Sequence, residues 1–346
     1  MNSRLGALIG LLALSNPAFG HHSQAEFDDA TVVELQGEIV AAYWRNPHVN
    51  FTLRTVDDDG NEELWEMEAA SWNTLSRKGV PEDVFKAGDR VTIAAHPSTR
   101  RPRQLQVNHV LLASGMEVIL SPSGDQPRWS NEYYGGTART VEPTPLSKSS
   151  ATAAGLFQIW AIAGGRRVPL DRELPLTASA REALANWDPL TEDPLLQCVP
   201  PGMPPAMGNP YPMQFIEQDD KIVLHLEEFD NIRTIHLDPG DAPRTPAPLG
   251  YSVGRWEEDT LVIETTAINY PYFNRVGVAQ SASVETFERF TVSEDGRRLD
   301  YELTITDPAT LTELVHWGTY FVSGRGEVIR PYECNVERYV ERERRP

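Results

Sequence analysis

Two adjacent histidines, His21 and His22, stand near the start of a 346-residue chain that holds eight in all. A chain beginning at His21 would offer that residue's α-amine and imidazole as a chelate, with His22 as a further donor. A third imidazole would complete a copper site of the brace type. His48, His96 and His109 lie downstream in the same stretch. His48 is the best third ligand, because a turn at Asn46-Pro47 can point it off a strand end. The expected metal set is therefore His21, His22 and His48.

A second set of polar residues lies inside segments that otherwise alternate like strands. In Thr260–Thr266, Glu264 shares a face with Val262 and Thr266. In Leu299–Thr306, Glu302 and Thr304 oppose Leu299, Tyr301, Leu303 and Ile305. In the last such segment, His316 lies with Leu314 and Tyr320. If these polar faces point into a barrel, Arg233, Glu264, Glu288, Glu302 and His316 converge in a cavity. Carboxylates beside Arg or His in a dry pocket suit acid–base work, with Glu264, Glu302, His316 and Arg233 as catalytic residues. Glu288 and Arg289 are neighbours and must point to opposite faces. A third group, Met207, Tyr211 and Met213 around a Pro-rich loop, with Trp256 and Tyr301, could line a mouth for an apolar ligand. The chain carries no phosphate loop, dinucleotide fingerprint, nucleophile elbow or H-E-x-x-H zinc helix.

The histidine reading depends on processing. Arg4 precedes an apolar run from Leu5 to Leu14, Ser15-Asn16-Pro17 breaks it, and Ala18-Phe19-Gly20 offers small residues for cleavage. This is the pattern of a secretory signal peptide, and cleavage after Gly20 would leave His21 first. Periplasmic or secreted location follows. In an oxidising compartment the two cysteines, Cys198 and Cys334, are expected to form a disulfide.

The elements that must position these residues are strands. Residues 31–56 read as long bent strands. Asp57-Asp58-Asp59-Gly60-Asn61 forms a hairpin turn, and Leu64–Glu68 is the next strand. Ser71 caps a short helix over Trp72–Lys78 that Gly79 ends. Strands Arg90–Ala95 and Leu105–Leu112 follow. That order is the order of a five-stranded OB-like barrel. Residues 121–150 read as a linker rich in Ser, Pro, Thr and Gly. The remainder begins with a strand near Trp160 and a helix over Leu176–Ala185. Eight further strand segments between Gln214 and Val322 are joined by short turns. They predict a larger antiparallel up-and-down barrel or curved sheet. The expected organisation is a signal peptide at 1–20, an OB-like domain at 21–120, a linker at 121–150, a β-barrel domain at 151–340 and a charged tail at 341–346. The fold class is all-β.

The block His21-His22-Ser23, with Phe27-Asp28 and Trp44-x-Asn46-Pro47-His48, resembles the start of an uncharacterised family of exported bacterial proteins. The second half resembles another uncharacterised domain. The matching pieces are Trp187-Asp188-Pro189, Cys198-x-Pro200-x-Gly202-Met203-Pro204, Pro210-Tyr211-Pro212, Gly254-Arg255-Trp256 with Asp259-Thr260-Leu261, Glu288-Arg289-Phe290 and Asp307-Pro308. The resemblance implies a family and no activity. It also implies a His-Ser-acid sequence ahead of Glu288. This chain has Gln280-Ser281-Ala282 instead, so chemistry resting on that histidine would be absent here.

Composition narrows the partners. With 31 Lys+Arg against 50 Asp+Glu, the formal charge is −19. That argues against nucleic acid, which needs a basic face. No apolar run reaches 18 residues, so no membrane span is expected. Three readings follow. The first is a non-enzymatic exported protein that binds a small, mostly apolar ligand in the larger barrel. The second is an acid–base enzyme (isomerase, hydratase or lyase) on such a ligand. The third is copper binding through the mature N-terminal histidines. Neither the ligand nor the oligomeric state is legible from the residues.

Overall fold

The computed structural model describes residues 26–57, 59–122, 125–136, 155–162, 174–188, 191–208, 211–238, 240, 243–324 and 326–335. His21 and His22 lie outside the described residues, as does the predicted signal peptide.

Five strands build the first barrel: β1 (Val33–Tyr43), β2 (Asn50–Val56), β3 (Glu62–Glu68), β4 (Arg90–Pro97) and β5 (Gln104–Leu112). The sheet runs β3-β2-β1-β4-β5, and β5 pairs back onto β3 in parallel at Glu66↔Gln104 and Met67↔Leu105. That closure is the expected OB-like topology. Gly37 lets β1 bend tightly against β2, since a Cβ there would meet the Arg54 carbonyl oxygen at 2.2 Å. At the β2–β3 turn, Asp57 accepts the amides of Asp59 and Asn61 at 3.0 and 2.7 Å, an Asx-type turn. Helix α1 (Trp72–Arg77) starts where Ser71 accepts the Thr74 amide at 3.2 Å. The barrel interior is apolar, with Ile39, Phe51, Leu53, Met67, Leu75, Phe85, Ile93 and Leu105 fully buried.

Two short strands extend this sheet. β6 (Glu117–Ile119) pairs with β5, and β7 (Tyr133–Gly135) pairs with β6 in parallel. The small domain's sheet thus reaches Gly135, inside the stretch expected to be linker. Glu117 fastens this addition. It is fully buried and accepts the amides of Arg128, Trp129 and Ser130 at 2.7–2.9 Å, and a bond from His109 Nδ1 at 2.8 Å. Burial raises the Glu117 pKa, and these donors more than offset that, so it ends below its ordinary 4.5. A depressed carboxylate stabilises the fold above its unfolded pKa and loses that contribution as pH falls through the folded value. Residues 125–136 are therefore expected to gain hydrogen exchange selectively as pH drops below about 4.5. Glu117→Gln should remove that pH step and cost about 1–3 kcal/mol at neutral pH, read by denaturant melts.

The second barrel has nine strands: β8 (Ile159–Ile162), β9 (Met213–Gln218), β10 (Lys221–Leu226), β11 (Asn231–His236), β12 (Tyr251–Glu257), β13 (Thr260–Thr266), β14 (Glu285–Val292), β15 (Arg298–Thr306) and β16 (Val315–Ser323). They close in the order β10-β11-β12-β13-β14-β15-β16-β8-β9. Every seam is antiparallel except β11–β12, which pairs in parallel at Ile235↔Ser252 and His236↔Val253. The Pro-rich stretch between them is too long for a hairpin and carries the chain back to the starting end. Helix α2 (Ala178–Asn186) packs on this core through Ala180 and Leu184, with Thr177 as its N-cap. Among the described residues, no helix is long and apolar enough to cross a membrane.

Candidate functional site

The large barrel's lumen is filled. Phe215 on β9 and Phe290 on β14 come from opposite walls, yet their ring centroids are 5.2 Å apart. Phe290 stacks on Tyr301 at 4.6 Å, and Tyr301 meets Trp317 at 5.6 Å. Above these rings lies a buried polar cluster. Arg233 forks onto Glu288, through Nη1 to Oε1 at 3.0 Å and through Nη2 to Oε2. Arg233 also donates to Ser252 Oγ at 3.0 Å and Thr265 Oγ1 at 2.7 Å. Tyr301 donates its hydroxyl to Glu288 Oε1 at 2.8 Å. Burial opposes the charge on Arg233, and the Glu288 carboxylate outweighs it and raises the guanidinium's pKa. Burial and the same carboxylate push the Tyr301 hydroxyl far up. Arg233 and Glu288 are 1% and 0% exposed, so nothing from solvent reaches them. This pair ties β11 to β14 across the lumen, and Tyr301 is a core side chain rather than a ligand wall.

The other expected catalytic residues lie on the outside. Glu264 is exposed and pairs with Arg255 at 2.7 Å. Glu302 is exposed, and His316 is exposed with Nδ1 3.0 Å from Thr304 Oγ1. The pairings Glu264↔Phe287, Phe287↔Thr304 and Thr304↔His316 put Glu264 and His316 three strands apart on the outer face. At about 4.8 Å per strand spacing that is about 14 Å, beyond reach of a common atom. The pocket expected to unite them is not formed, because on each of these strands the apolar face took the lumen. Arg289 follows the same rule and pairs outside with Glu257 at 2.8 Å.

The Met/Tyr group does gather at the barrel mouth. Met207, Tyr211, Met213, Leu226, Phe321, Glu227 and Glu228 line a cleft there that leaves about 10 Å³ free, room for about one water. Trp256 is not among them; it stands 44% exposed beside Phe157. Gln280 donates to the carbonyls of Met203 and Tyr270 at 2.9 and 2.7 Å. Ser281 caps Asp307, its hydroxyl 2.7 Å from Oδ1. The Gln280-Ser281 pair thus ties loops together at the barrel end.

The mouth is also where the two barrels meet. Glu227, fully buried, accepts both terminal nitrogens of Arg77, Asn73 Nδ2 at 3.0 Å and the Arg330 backbone N–H at 2.9 Å. Asn73 in turn bonds Asn46, 3.1 Å from Asn46 Nδ2 to Asn73 Oδ1 and 3.1 Å from the Asn73 amide to Asn46 Oδ1. The Asn of the Trp-x-Asn-Pro-His motif thus positions Asn73 at the domain junction, and its Trp44 packs on Trp72 and Phe85. Sequence reasoning missed Arg77, Asn73 and Glu227. Adjacent carboxylates, Glu227 and Glu228, just past the end of β10 were the available signal.

The small domain's histidines differ sharply. His96 Nδ1 faces the Thr31 carbonyl at 2.9 Å, and its Nε2 accepts from Asn108 at 3.3 Å. His109 lies between Glu117 and Asp125, the latter 3.6 Å from Nε2. His48 Nδ1 is 3.0 Å from the Ala69 carbonyl, which only accepts, so Nδ1 is the donor there. Its side chain is 32% exposed, and Glu68 lies 3.6 Å from Nδ1. Among the described residues, Nε2 of His48 has no partner. No three His, Cys, Asp or Glu side chains among the described residues gather as a metal site.

Taken together the fold defines a two-barrel all-β protein, an OB-like barrel bolted to a filled nine-stranded one. The family model described as "Family of unknown function (DUF6152)" matches residues 9–104, which end at the first residue of β5. No curated protein matches the chain, and no solved structure matches it.

Proposed function

We propose that the chain is exported, is cleaved after Gly20, and binds copper through its small domain, with the His21 amine and imidazole, His22 and His48 as ligands. The observation that carries this reading is the imidazole of His48. Its Nδ1–H is held by the Ala69 carbonyl, which orients the ring and leaves Nε2 as the nitrogen a metal would take. The other two described histidines of this domain, His96 and His109, have both nitrogens engaged. The Asn46 side chain, fixed on Asn73, anchors the turn that presents it. The larger barrel serves as a rigid body in this reading, since aromatic rings fill its lumen.

The test is a Cu(II) titration of the processed full-length protein, followed by native mass spectrometry and electron paramagnetic resonance. One copper per chain is expected. His48→Ala should weaken it about 100-fold, on the order of 3 kcal/mol. An extra residue ahead of His21 should weaken it at least as much, because the α-amine is no longer available. Stoichiometric copper that ignores both changes, or no copper at all, would sink the proposal. A second reading, an apolar ligand at the barrel mouth, requires the cleft at Met207, Tyr211 and Met213 to open beyond its present room for about one water. An organic mass retained in the same native spectra and lost on denaturation would support it.

A further inference from the structure

The last described stretch, Val328 to Asn335, belongs to neither barrel's sheet. Its one strand-like contact is a single bridge between Cys334 and Asn46. It lies as a strap across the domain junction. On the small-domain side, the Val328 carbonyl accepts Arg77 Nη2 at 3.1 Å and the Pro331 carbonyl accepts Asn73 Nδ2 at 3.3 Å. Arg330 Nη1 donates to Ser76 Oγ. On the large-domain side, the amides of Arg330 and Tyr332 donate to Glu227 Oε2 and Asp230 Oδ2, each at 2.9 Å. Tyr332, 4% exposed, packs on Phe229 at 4.8 Å and on Tyr211, a wall of the mouth cleft, at 5.4 Å. The Cys198–Cys334 disulfide pins its far end to the loop ahead of β9.

We infer that this disulfide is a redox-sensitive latch. Reducing it frees the strap, loosens the junction between the barrels and releases Tyr332 from Tyr211 at the wall of the mouth cleft, while both barrels stay folded. The strap has no ladder of backbone bonds, and segments of that kind open locally at far lower cost than core strands. Both cysteines are partly exposed, so a thiolate can reach them. The reductant is a dithiol. One thiolate attacks a sulfur of the pair, the S–S bond breaks and a mixed disulfide forms. The second thiol then displaces the protein sulfur. Two electrons pass to the cysteines, which end as thiols, and the dithiol ends as a disulfide. After release, Arg77 and Asn73 still bond Glu227, so the barrels remain in contact and can hinge. The inference stands independently of copper binding.

Hydrogen–deuterium exchange of the full-length protein before and after dithiothreitol tests this, with thiol alkylation mass confirming reduction. Amides of 328–335 should exchange at least tenfold faster on reduction. Those of β13, β14 and β15 should stay protected over the time in which the strap exchanges, even though their slow exchange quickens as global stability falls. C198A/C334A should show the reduced pattern without reductant. Two results would overturn the latch. One is protection of 328–335 that survives confirmed reduction. The other is joint loss of protection in the strap and in β13–β15, which would make the bond a support of the whole fold. If the double variant does not fold, reduction of the native protein still decides.

Discussion

Glu288→Gln is expected to cost the large barrel about 3–5 kcal/mol, because it leaves the Arg233 guanidinium charged in a closed lumen with no counterion. Arg233→Met should cost a similar amount from the other side, by stranding the Glu288 carboxylate. The two charges sit at 1% and 0% exposure, so no water can replace the missing partner. The stronger test is the pair. R233M/E288L removes both charges, and Ser252 and Thr265 can still bond each other at 3.0 Å. The double variant should recover most of the loss, since an apolar replacement of a buried pair is often close to neutral. Tyr301→Phe, which removes one bond to Glu288, should cost only about 1 kcal/mol. Denaturant unfolding at neutral pH reads all four. Equal, additive losses in the single and double variants would show that the fork makes no coupled contribution.

Removing the disulfide is the other large effect. Cys198 and Cys334 are 136 positions apart and enclose nearly the whole nine-stranded barrel. The loop-entropy model gives a bridge of that span about 5 kcal/mol, chiefly by restricting the unfolded chain. C198A/C334A should therefore lower the thermal midpoint of the large barrel by roughly 10 °C or more. Freeing the strap gives the native state some freedom too, so the measured loss should fall below the full figure. Scanning calorimetry of oxidised and variant protein reads it. A midpoint that moves by less than about 2 °C would show that the reduced unfolded state is already compact and that the entropic account fails.

Much of this architecture was legible because strands carry a period of two. Alternation in Lys221–Glu228, Thr260–Thr266 and Leu299–Thr306 marks strands whatever they pack against, and observed β10, β13 and β15 follow those segments. The Asx turn at Asp57 and the Ser71 cap are local bonds within four residues, and both formed. The pairing of the cysteines was legible because two cysteines allow one bridge.

The same period names two faces without saying which one the sheet's curvature turns inward. Glu264, Glu302 and His316 went outside because the alternate residues, Leu261, Ile263, Tyr301, Leu303 and Trp317, bury far more apolar surface. Glu288 went inside because Phe290 and Thr286 share its face and Arg233 waited there to neutralise it. The junction was equally hidden. Asn73 and Glu227 are 154 positions apart, and nothing local in either segment signals the other. By itself, then, the sequence determined the strands, the turns, the caps and the bridge, all set by chemistry within a few residues or by parity. Only the tertiary structure decided which polar residues meet, because closing a barrel brings together side chains that are far apart along the chain and fills the space where a pocket was expected.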